Sequence, residues 1–359
     1  MGIRGIPATH GGFESFAEGL ALYLVKQGWD VTVYCQKECQ PCIEESEWQG
    51  VKLINIGVPQ TSAIASFIFD WKSIIHAAKR GGIMLTLGYN TAIFCAWHRI
   101  NGITNLMNMD GIEWKRQKWP LPIKIWLYIN EKLGCWLSNH LIADHPEIKN
   151  HLTRNVKAEK ITVIPYGADS IEHASIEPLQ VLNVESKKYC ILIARPEPEN
   201  SILEMVQAFS AKQRGIKLLV LGKYSLDHHY QNKVLEAASD EVIFAGAIYD
   251  SSIVQALRFH ALLYFHGHQV GGTNPSLVEA MGAGNAVLAH NNIFNRWVAG
   301  DKQFFFSNKE ECKAILDKNL TDSDSMSNAA VASRQRYSEH FTQITILKQY
   351  ESLLSQYIK

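Results

Sequence analysis

The sequence predicts an α/β protein built from two doubly wound domains. At 359 residues the chain is too long for one ordinary core and suits two domains of about 150 to 180 residues each. Short apolar strands alternate with amphipathic helices in both halves, which is typical of parallel sheets covered by helices. A polar stretch near residues 170–188 interrupts this alternation. We therefore expect one doubly wound sheet on each side of it.

The first half contains an amphipathic helix and six predicted strands. Over residues 13–27, Phe16, Leu20 and Leu24 recur on one stripe, and Gly28 closes the helix. The start MGIRGIP leaves almost no room for a strand before the first glycine loop, so we expect a truncated first strand. The strands are predicted at 31–35, 51–56, 83–87, 104–109, 140–143 and 161–164.

The second half repeats the pattern after the polar stretch. The predicted organisation is a first domain over 1–168, a linker over 169–188, a second domain over 189–338 and a final helical segment over 339–359. The strands of the second domain are predicted at 189–194, 217–221, 242–244, 261–265, 286–289 and 303–306.

Composition narrows the class of protein. The chain has 35 Lys and Arg residues and 35 Asp and Glu residues, so there is no net positive charge to favour nucleic-acid binding. The first residues lack the apolar core of a signal peptide, and no run approaches eighteen apolar residues. Seven cysteines do not indicate a disulfide framework. We therefore expect a cytoplasmic protein.

The segment from Tyr264 to His290 is the most informative part of the chain. It predicts a buried strand, a glycine-rich turn at Gly271-Gly272 and a short helix that Asn274 caps. Free amides at such a helix start suit a pyrophosphate, and Glu279, about one turn further on, suits ribose hydroxyls. The alternative interpretation is a capped helix with a solvated glutamate.

Four other positions follow predicted strands, where ligands of doubly wound sheets bind. The loop GIPATHGGFE brings the amides of Gly11 and Gly12 to a helix start, or is only a permissive turn. Asp110 follows one strand as a candidate catalytic carboxylate, or caps the next helix. Arg195 and Lys223 follow two strands of the second domain and suit phosphate oxygens, or are solvated.

Several of these segments, in this order and spacing, resemble the retaining glycosyltransferases of family 4 with the GT-B fold. GIRGIPATHGGFE is similar to their amino-terminal glycine loop, VIPYGAD to VIPNGVD, and ARPEPENS to GRLxPEKN. VGGTNPSLVEAMGAGNAVLA resembles EGFGLPLLEAMACGxPVIA, and GGTNPSLVEAM is found in the bacterial rhamnosyltransferase-like subgroup of polysaccharide synthesis. The chain departs from the common pattern at three positions: Gly271 replaces the first paired glutamate, Asn200 a lysine, and Asp110 a histidine that many members have.

The resemblance implies two Rossmann-like domains facing across a cleft, with the final helix crossing back to the first. It also implies transfer of a sugar to a hydroxyl acceptor with retention. The subgroup resemblance favours dTDP-L-rhamnose as the donor, with UDP-sugars and GDP-mannose as open alternatives. No cofactor or metal is expected, and no DxD-type metal pair lies in a suitable loop. Asp110, Arg195 and Glu279 are the expected catalytic residues. The expected donor-binding residues are Gly11, Gly12, Arg195, Lys223, Gly272, Thr273, Asn274, Ser276, Leu277 and Glu279.

Residues 114–136 combine four tryptophans with basic residues. This composition is typical of helices at anionic membrane surfaces, or of a domain helix with a core face. The first interpretation predicts a lipid-linked saccharide acceptor and peripheral association with the cytoplasmic face of the membrane.

Three rival interpretations remain open. Cys35, Cys39 and Cys42 have the C-x3-C-x2-C spacing of an iron–sulfur cluster that binds S-adenosylmethionine. The truncated strand and the departures at Gly271 and Asn200 suit a transferase-like protein with impaired activity. A sugar-nucleotide epimerase would share the fold.

Overall fold

The computed structural model describes residues 1–8, 11–59 and 62–358. The chain divides into two compact units, one of Met1–Tyr166 with Ile344–Lys359 and one of Gly167–Gln343. The stretch 169–188, expected as a linker, is part of the second unit and contains a short helix whose Leu179 is buried. None of the helices within the described ranges combines the length and the hydropathy that a membrane span requires.

The first unit has two sheets. In one, β3 (Val51–Val58) lies between β1 (Thr32–Glu38), which is parallel to it, and β2 (Ile43–Trp48), which is antiparallel. The other is a parallel sheet in the order β4 (Ile83–Leu87), β5 (Thr104–Asn108), β6 (His140–Ala143) and β7 (Ile161–Val163). The hairpin strand β2 was not predicted, because its three glutamates leave it without an apolar run. The elements are α1 Gly12–Lys26, β1 Thr32–Glu38, β2 Ile43–Trp48, β3 Val51–Val58, α2 Ala63–Arg80, β4 Ile83–Leu87, α3 Cys95–Ile100, β5 Thr104–Asn108, α4 Leu121–Leu137, β6 His140–Ala143, α5 Pro146–Leu152 and β7 Ile161–Val163.

Residues 1–8 form no strand, but their backbone joins the two sheets. The Met1 amino group donates to Leu85 O at 2.8 Å, Leu87 N donates to Met1 O at 2.9 Å, and Gln36 N donates to Arg4 O at 2.7 Å. Met1–Arg4 therefore lie where one strand fits between β1 and β4. A cavity of about 150 Å³ adjoins this segment, lined mainly by apolar side chains.

The second unit has one six-stranded parallel sheet, in the order β10 (Val242–Gly246), β9 (Lys217–Leu221), β8 (Tyr189–Ile193), β11 (Leu263–His266), β12 (Ala286–His290) and β13 (Phe304–Phe306). Its strands are continuous apolar runs because both faces are covered. Cys190 and Leu192 pack on one face with Phe265, while Tyr189 and Ile191 pack on the other. The elements are α6 Glu177–Val181, β8 Tyr189–Ile193, α7 Ile202–Ser210, β9 Lys217–Leu221, α8 His229–Glu236, β10 Val242–Gly246, α9 Ser251–Phe259, β11 Leu263–His266, α10 Pro275–Gly282, β12 Ala286–His290, α11 Ile293–Ala299, β13 Phe304–Phe306, α12 Lys309–Asn319 and α13 Ser323–His340.

The last helix, α14 (Gln343–Ser355), belongs to the first unit from Ile344 onward. Tyr350 Oη accepts a hydrogen bond from Asn108 Nδ2 at 2.8 Å. The Glu351 carboxylate accepts from Tyr23 Oη at 2.6 Å and from Trp29 Nε1 at 3.3 Å. These contacts fix the helix against α1 and the end of β5.

Candidate functional site

The glycine-rich segment after β11 forms the predicted helix start. Asn274 is the N-cap of α10, its side chain accepts from Ser276 N at 3.0 Å, and Pro275 is the first helical residue. The predicted cap and helix are therefore confirmed. Leu277 is fully buried and Thr273 nearly so, hence their side chains hold the loop rather than face solvent.

Glu279 is held by an arginine that the sequence interpretation missed. Arg258, in the last turn of α9, places Nη2 2.5 Å from Glu279 Oε2 and donates to Ser276 Oγ at 2.9 Å. The Arg258 side chain is 7% exposed, whereas that of Glu279 is 41% exposed. A buried guanidinium therefore orients a carboxylate that solvent still reaches. The only signal in the sequence is a single cation within the apolar run of residues 253–265.

Tyr264, on β11, contacts the same serine as Arg258. Its hydroxyl lies 2.6 Å from Ser276 Oγ, and burial raises the pKa of the phenol. The tyrosine therefore stays protonated at neutral pH. Ser276, expected as a donor contact, has its hydroxyl engaged by Tyr264 and Arg258, so it serves to fix the helix start.

The loop after β8 is built against the loop after β11. Ser201 Oγ donates to Gly267 O at 2.9 Å, and Gln269 Nε2 donates to Ser201 Oγ at 2.9 Å. A Cβ at Gly267 would lie 1.9 Å from Asn200 O, so only glycine permits this approach. Asn200, which replaces the usual lysine, is buried and donates to Arg195 O at 2.8 Å. Its amide shapes the loop rather than supplying charge.

Sheet order brings the predicted cations and the glycine-rich turn to one edge. Strands β9, β8 and β11 are neighbours and parallel, so the residues that follow them share the carboxyl edge. Arg195 follows β8, Lys223 follows β9, and residues 267–274 follow β11. Both cations are exposed. The edge therefore presents two cations, the start of α10 and the Glu279 carboxylate.

Three histidines near this edge were also missed. The rings of His266 and His268 stack at 4.6 Å and 13°. His266 is buried, and neither ring nitrogen has a hydrogen-bond partner among the described residues. Burial holds the pKa of His266 well below its usual range and lowers that of His290. Both rings are therefore neutral at pH 7 and add no charge for a diphosphate. The sequence signal is the H-G-H at a strand end.

Asp110 of the first unit lies directly after β5 in a strained backbone conformation, with φ of 52°. Its amide donates to Asn108 Oδ1 at 2.9 Å. Burial, with the nearby Glu113 carboxylate, raises the pKa of the Asp110 carboxyl to about 6. The short 3₁₀ helix that follows has Ile112 at its N-cap, so Asp110 does not cap it. A carboxyl that titrates near neutral pH suits proton transfer or orientation of a hydroxyl.

The glycine loop of the first unit is described except at Thr9 and His10, which lie outside the described residues. Gly11 is the N-cap of α1 and makes no side-chain cap, and Gly12 is the first helical residue. A polar cavity of about 240 Å³ lies beside this loop at the carboxyl end of β1. Arg4, Glu14, Lys37, Glu38 and Asn55 line it.

The three cysteines of the C-x3-C-x2-C motif do not converge. Cys35 is buried with Sγ 3.7 Å from Ile6 O, whereas Cys39 and Cys42 pair with each other. Among the described residues, no group of three or more His, Cys, Asp or Glu side chains is arranged to hold a metal ion. The iron–sulfur alternative also requires a barrel, which the two doubly wound units exclude.

Two family profiles match the chain. Residues 1–169 match a domain of unknown function, DUF1972, and residues 177–336 match "Glycosyl transferases group 1". No protein with a curated description matches the sequence.

Solved structures similar to the chain share its fold over nearly the full length. Sucrose-phosphate synthase from Thermosynechococcus elongatus is 16% identical with a TM-score of 0.79, over 99% of this chain and 95% of that one. HepE from Anabaena, in complex with UDP and glucose, is 14% identical with a TM-score of 0.76, over 98% of both chains. A glycosyltransferase from Rickettsia africae is 16% identical with a TM-score of 0.74, over 98% of this chain and 97% of that one. The fold is GT-B, and with the profile match it supports a glycosyltransferase.

Proposed function

We propose that this protein transfers a sugar from a nucleotide-diphosphate donor, bound at the carboxyl edge of the second unit's sheet, to a hydroxyl acceptor. The observation that carries the proposal is the convergence at one edge of Arg195, Lys223, the start of α10 and an oriented Glu279. HepE, which shares the fold, was solved with UDP and glucose.

The chemistry of this edge suits a departing nucleoside diphosphate. Arg195 and Lys223 supply positive charge, and the glycine-rich turn at Gly271-Gly272 before α10 is proposed to add main-chain hydrogen-bond donors where negative charge develops. The exposed oxygen of Glu279 is available to ribose hydroxyls, because Arg258 already engages the other side of the group. These residues stabilise the leaving group without a metal in the proposed reaction.

On the first unit, Asp110 is proposed to orient the acceptor hydroxyl. The proposed reaction retains the anomeric configuration and uses no protein nucleophile, so the leaving phosphate accepts the acceptor proton. Asp110 then acts by position and charge rather than by attack. The amides of Gly11 and Gly12 remain proposed donor contacts.

The donor site is tested by calorimetric titration with dTDP, UDP and GDP, followed by dTDP-rhamnose, UDP-glucose and GDP-mannose. We expect micromolar binding of one nucleotide, with dTDP favoured, and at least about tenfold weaker binding in Arg195→Ala, a loss of about 1.4 kcal/mol. Arg154→Ala, an exposed arginine of the first unit, is the matched control. Absence of binding by all three nucleotides would favour the impaired-transferase alternative.

The acceptor is proposed to be a lipid-linked saccharide reached at the membrane surface. Exposed apolar side chains cluster on three helices of the first unit: Ile64, Ile68 and Trp71 on α2, Trp97 and Ile100 on α3, and Leu121, Ile125, Ile129 and Trp136 on α4. We call this set the exposed apolar set. Ring contacts connect its helices, with Trp71 6.0 Å from Trp97 and Phe67 5.3 Å from Trp126.

Of the four tryptophans in the 114–136 segment, three are half-buried and Trp136 is exposed. The indoles of Trp114 and Trp119 donate to Glu131 and Glu113, at 2.8 and 3.2 Å. Trp136 is 58% exposed. The helix α4 is thus both a domain helix, with Leu127 buried, and a carrier of exposed apolar side chains. Such a face next to basic residues suits an interfacial membrane contact.

Vesicle flotation tests this contact. We expect binding to vesicles with anionic lipid, weaker binding when Lys115, Arg116 and Lys118 are replaced, and loss of binding in Ile100→Ser/Leu121→Ser. Val331→Ser, an exposed apolar residue of the second unit, is the control. Equal binding by the wild type and both altered proteins would remove the membrane from the proposal.

A further inference from the structure

The connection from β1 to β2 carries two thiols that the proposed function does not use. Cys39 Sγ lies 3.5 Å from Cys42 Sγ at the ends of the sequence C-Q-P-C. Cys39 is exposed and Cys42 partly exposed, whereas the other cysteines are buried. We infer that Cys39 and Cys42 form a modification site at which a low-molecular-weight disulfide, such as glutathione disulfide, oxidises the pair to an intramolecular disulfide.

Main-chain geometry holds the two thiols together. Because β1 and β2 flank β3, their connection crosses the carboxyl end of β3. Cys39 N donates to Val58 O at 3.0 Å, and Gly57 N donates to Cys42 O at 2.9 Å. Both ends of the crossing are therefore fixed to adjacent residues of one strand, independently of the sulfur atoms.

Gly57 provides the space for this crossing. A Cβ at Gly57 would lie 2.3 Å from Gln40 O and 2.9 Å from Cys39 Sγ. Because residue 57 is a glycine, the connection that carries Cys39 and Cys42 lies directly against the strand. Forming the bond requires the sulfurs to approach from 3.5 Å to about 2 Å, which side-chain rotation can provide.

The chemistry is two successive thiol–disulfide exchanges. One protein thiolate attacks the small disulfide, forms a mixed disulfide and releases one small thiol. The second protein thiolate attacks the protein sulfur of that mixed disulfide and releases the second small thiol. The protein loses two electrons and two protons, and the small disulfide gains them as two thiols. Cys35 does not compete, because its buried thiol faces the main chain of Ile6 and Val33.

The test uses the full chain, reduced, desalted and then incubated with glutathione disulfide. Acid-quenched samples are analysed by intact mass and by peptide mapping. We expect a mass lower by two hydrogens, a peptide that links Cys39 to Cys42, and full reversal by dithiothreitol. Cys39→Ser is expected to retain one glutathione on Cys42, because no resolving thiol is present. Cys95→Ser, which removes a buried thiol, is expected to behave as the wild type.

Gly57→Ala tests the geometry. The added methyl group displaces the connection, so we expect the intramolecular disulfide to form at least about fivefold more slowly, with far-UV circular dichroism confirming the fold. The inference is overturned if the wild type accumulates stable glutathione adducts at Cys39 or Cys42, or if both thiols remain reduced. The wild type and the two serine variants decide the matter even if Gly57→Ala does not fold.

Discussion

The pair formed by Arg258 and Glu279 allows a quantitative test of the site. The perturbation is a double-mutant cycle of Glu279→Ala, Arg258→Met and the combined variant. Methionine keeps most of the apolar stem of Arg258 and removes its charge. The two side chains meet at 2.5 Å, and they differ sharply in exposure, at 7% for Arg258 and 41% for Glu279.

That difference sets the expected magnitudes. Glu279→Ala leaves a buried guanidinium with Ser276 as its neighbour and with an Nε that has no partner among the described residues. We expect this to lower the free energy of unfolding by about 3 kcal/mol. Arg258→Met leaves a carboxylate that water reaches, so we expect a loss of about 2 kcal/mol. The combined variant carries neither unpaired charge, and we expect about 3 kcal/mol rather than the sum.

The assay is urea denaturation followed by circular dichroism, with the m-values compared to check that the transition is unchanged. Glu310→Ala, an exposed glutamate on α12, is the matched control and should change stability by less than about 0.5 kcal/mol. A combined variant whose loss equals the sum of the two single losses would refute the reasoning. If the coupling holds, donor titrations should use Glu279→Gln, whose amide oxygen still accepts from Arg258.

Three further predictions concern single residues. Asp110→Ala should lower turnover far more than donor binding. Because the pKa of Asp110 is raised to about 6, wild-type stability should fall as pH rises from about 4 to 6. Urea denaturation across pH should therefore find Asp110→Asn about 3 kcal/mol more stable than the wild type at pH 7 and equally stable below pH 4. His266→Phe should match or exceed wild-type stability in thermal unfolding, because both buried ring nitrogens of His266 lack partners among the described residues. A decrease of more than about 2 kcal/mol in the free energy of unfolding would contradict this. Ala17→Leu should stabilise the first unit by about 1 kcal/mol, because the larger side chain fills the cavity beside Met1–Arg4. Ala17→Ser, the control, should not stabilise it. A lower free energy of unfolding in Ala17→Leu would mean that the cavity walls cannot accommodate the leucine side chain.

The local pattern around α10 was predictable because it depends on short-range chemistry. An N-cap asparagine, a proline at the first helical position and an apolar run before them specify strand, turn and helix within about twenty residues. The same holds for the alternation of strands and helices, which indicated two doubly wound domains. Arg258 was not predictable in its role, because its contact with Glu279 joins the end of one helix to the middle of another across β11. The acidic strand β2 was missed because its residues lie at a sheet edge with little apolar burial.

The sequence by itself determined the fold class, the glycine loops, the positions of Asp110, Arg195 and Lys223 soon after strands, and the position of Glu279 within the helix that follows the glycine-rich turn. These follow from periodicity and turn chemistry, which act between neighbours in the chain. Only the tertiary structure decided that β9, β8 and β11 are adjacent and that a buried arginine orients Glu279. It also decided that Cys39 meets Cys42 while Cys35 is buried apart from them. Strand order and burial depend on contacts between residues far apart in the chain. The spacing of residues along the sequence does not reveal those contacts.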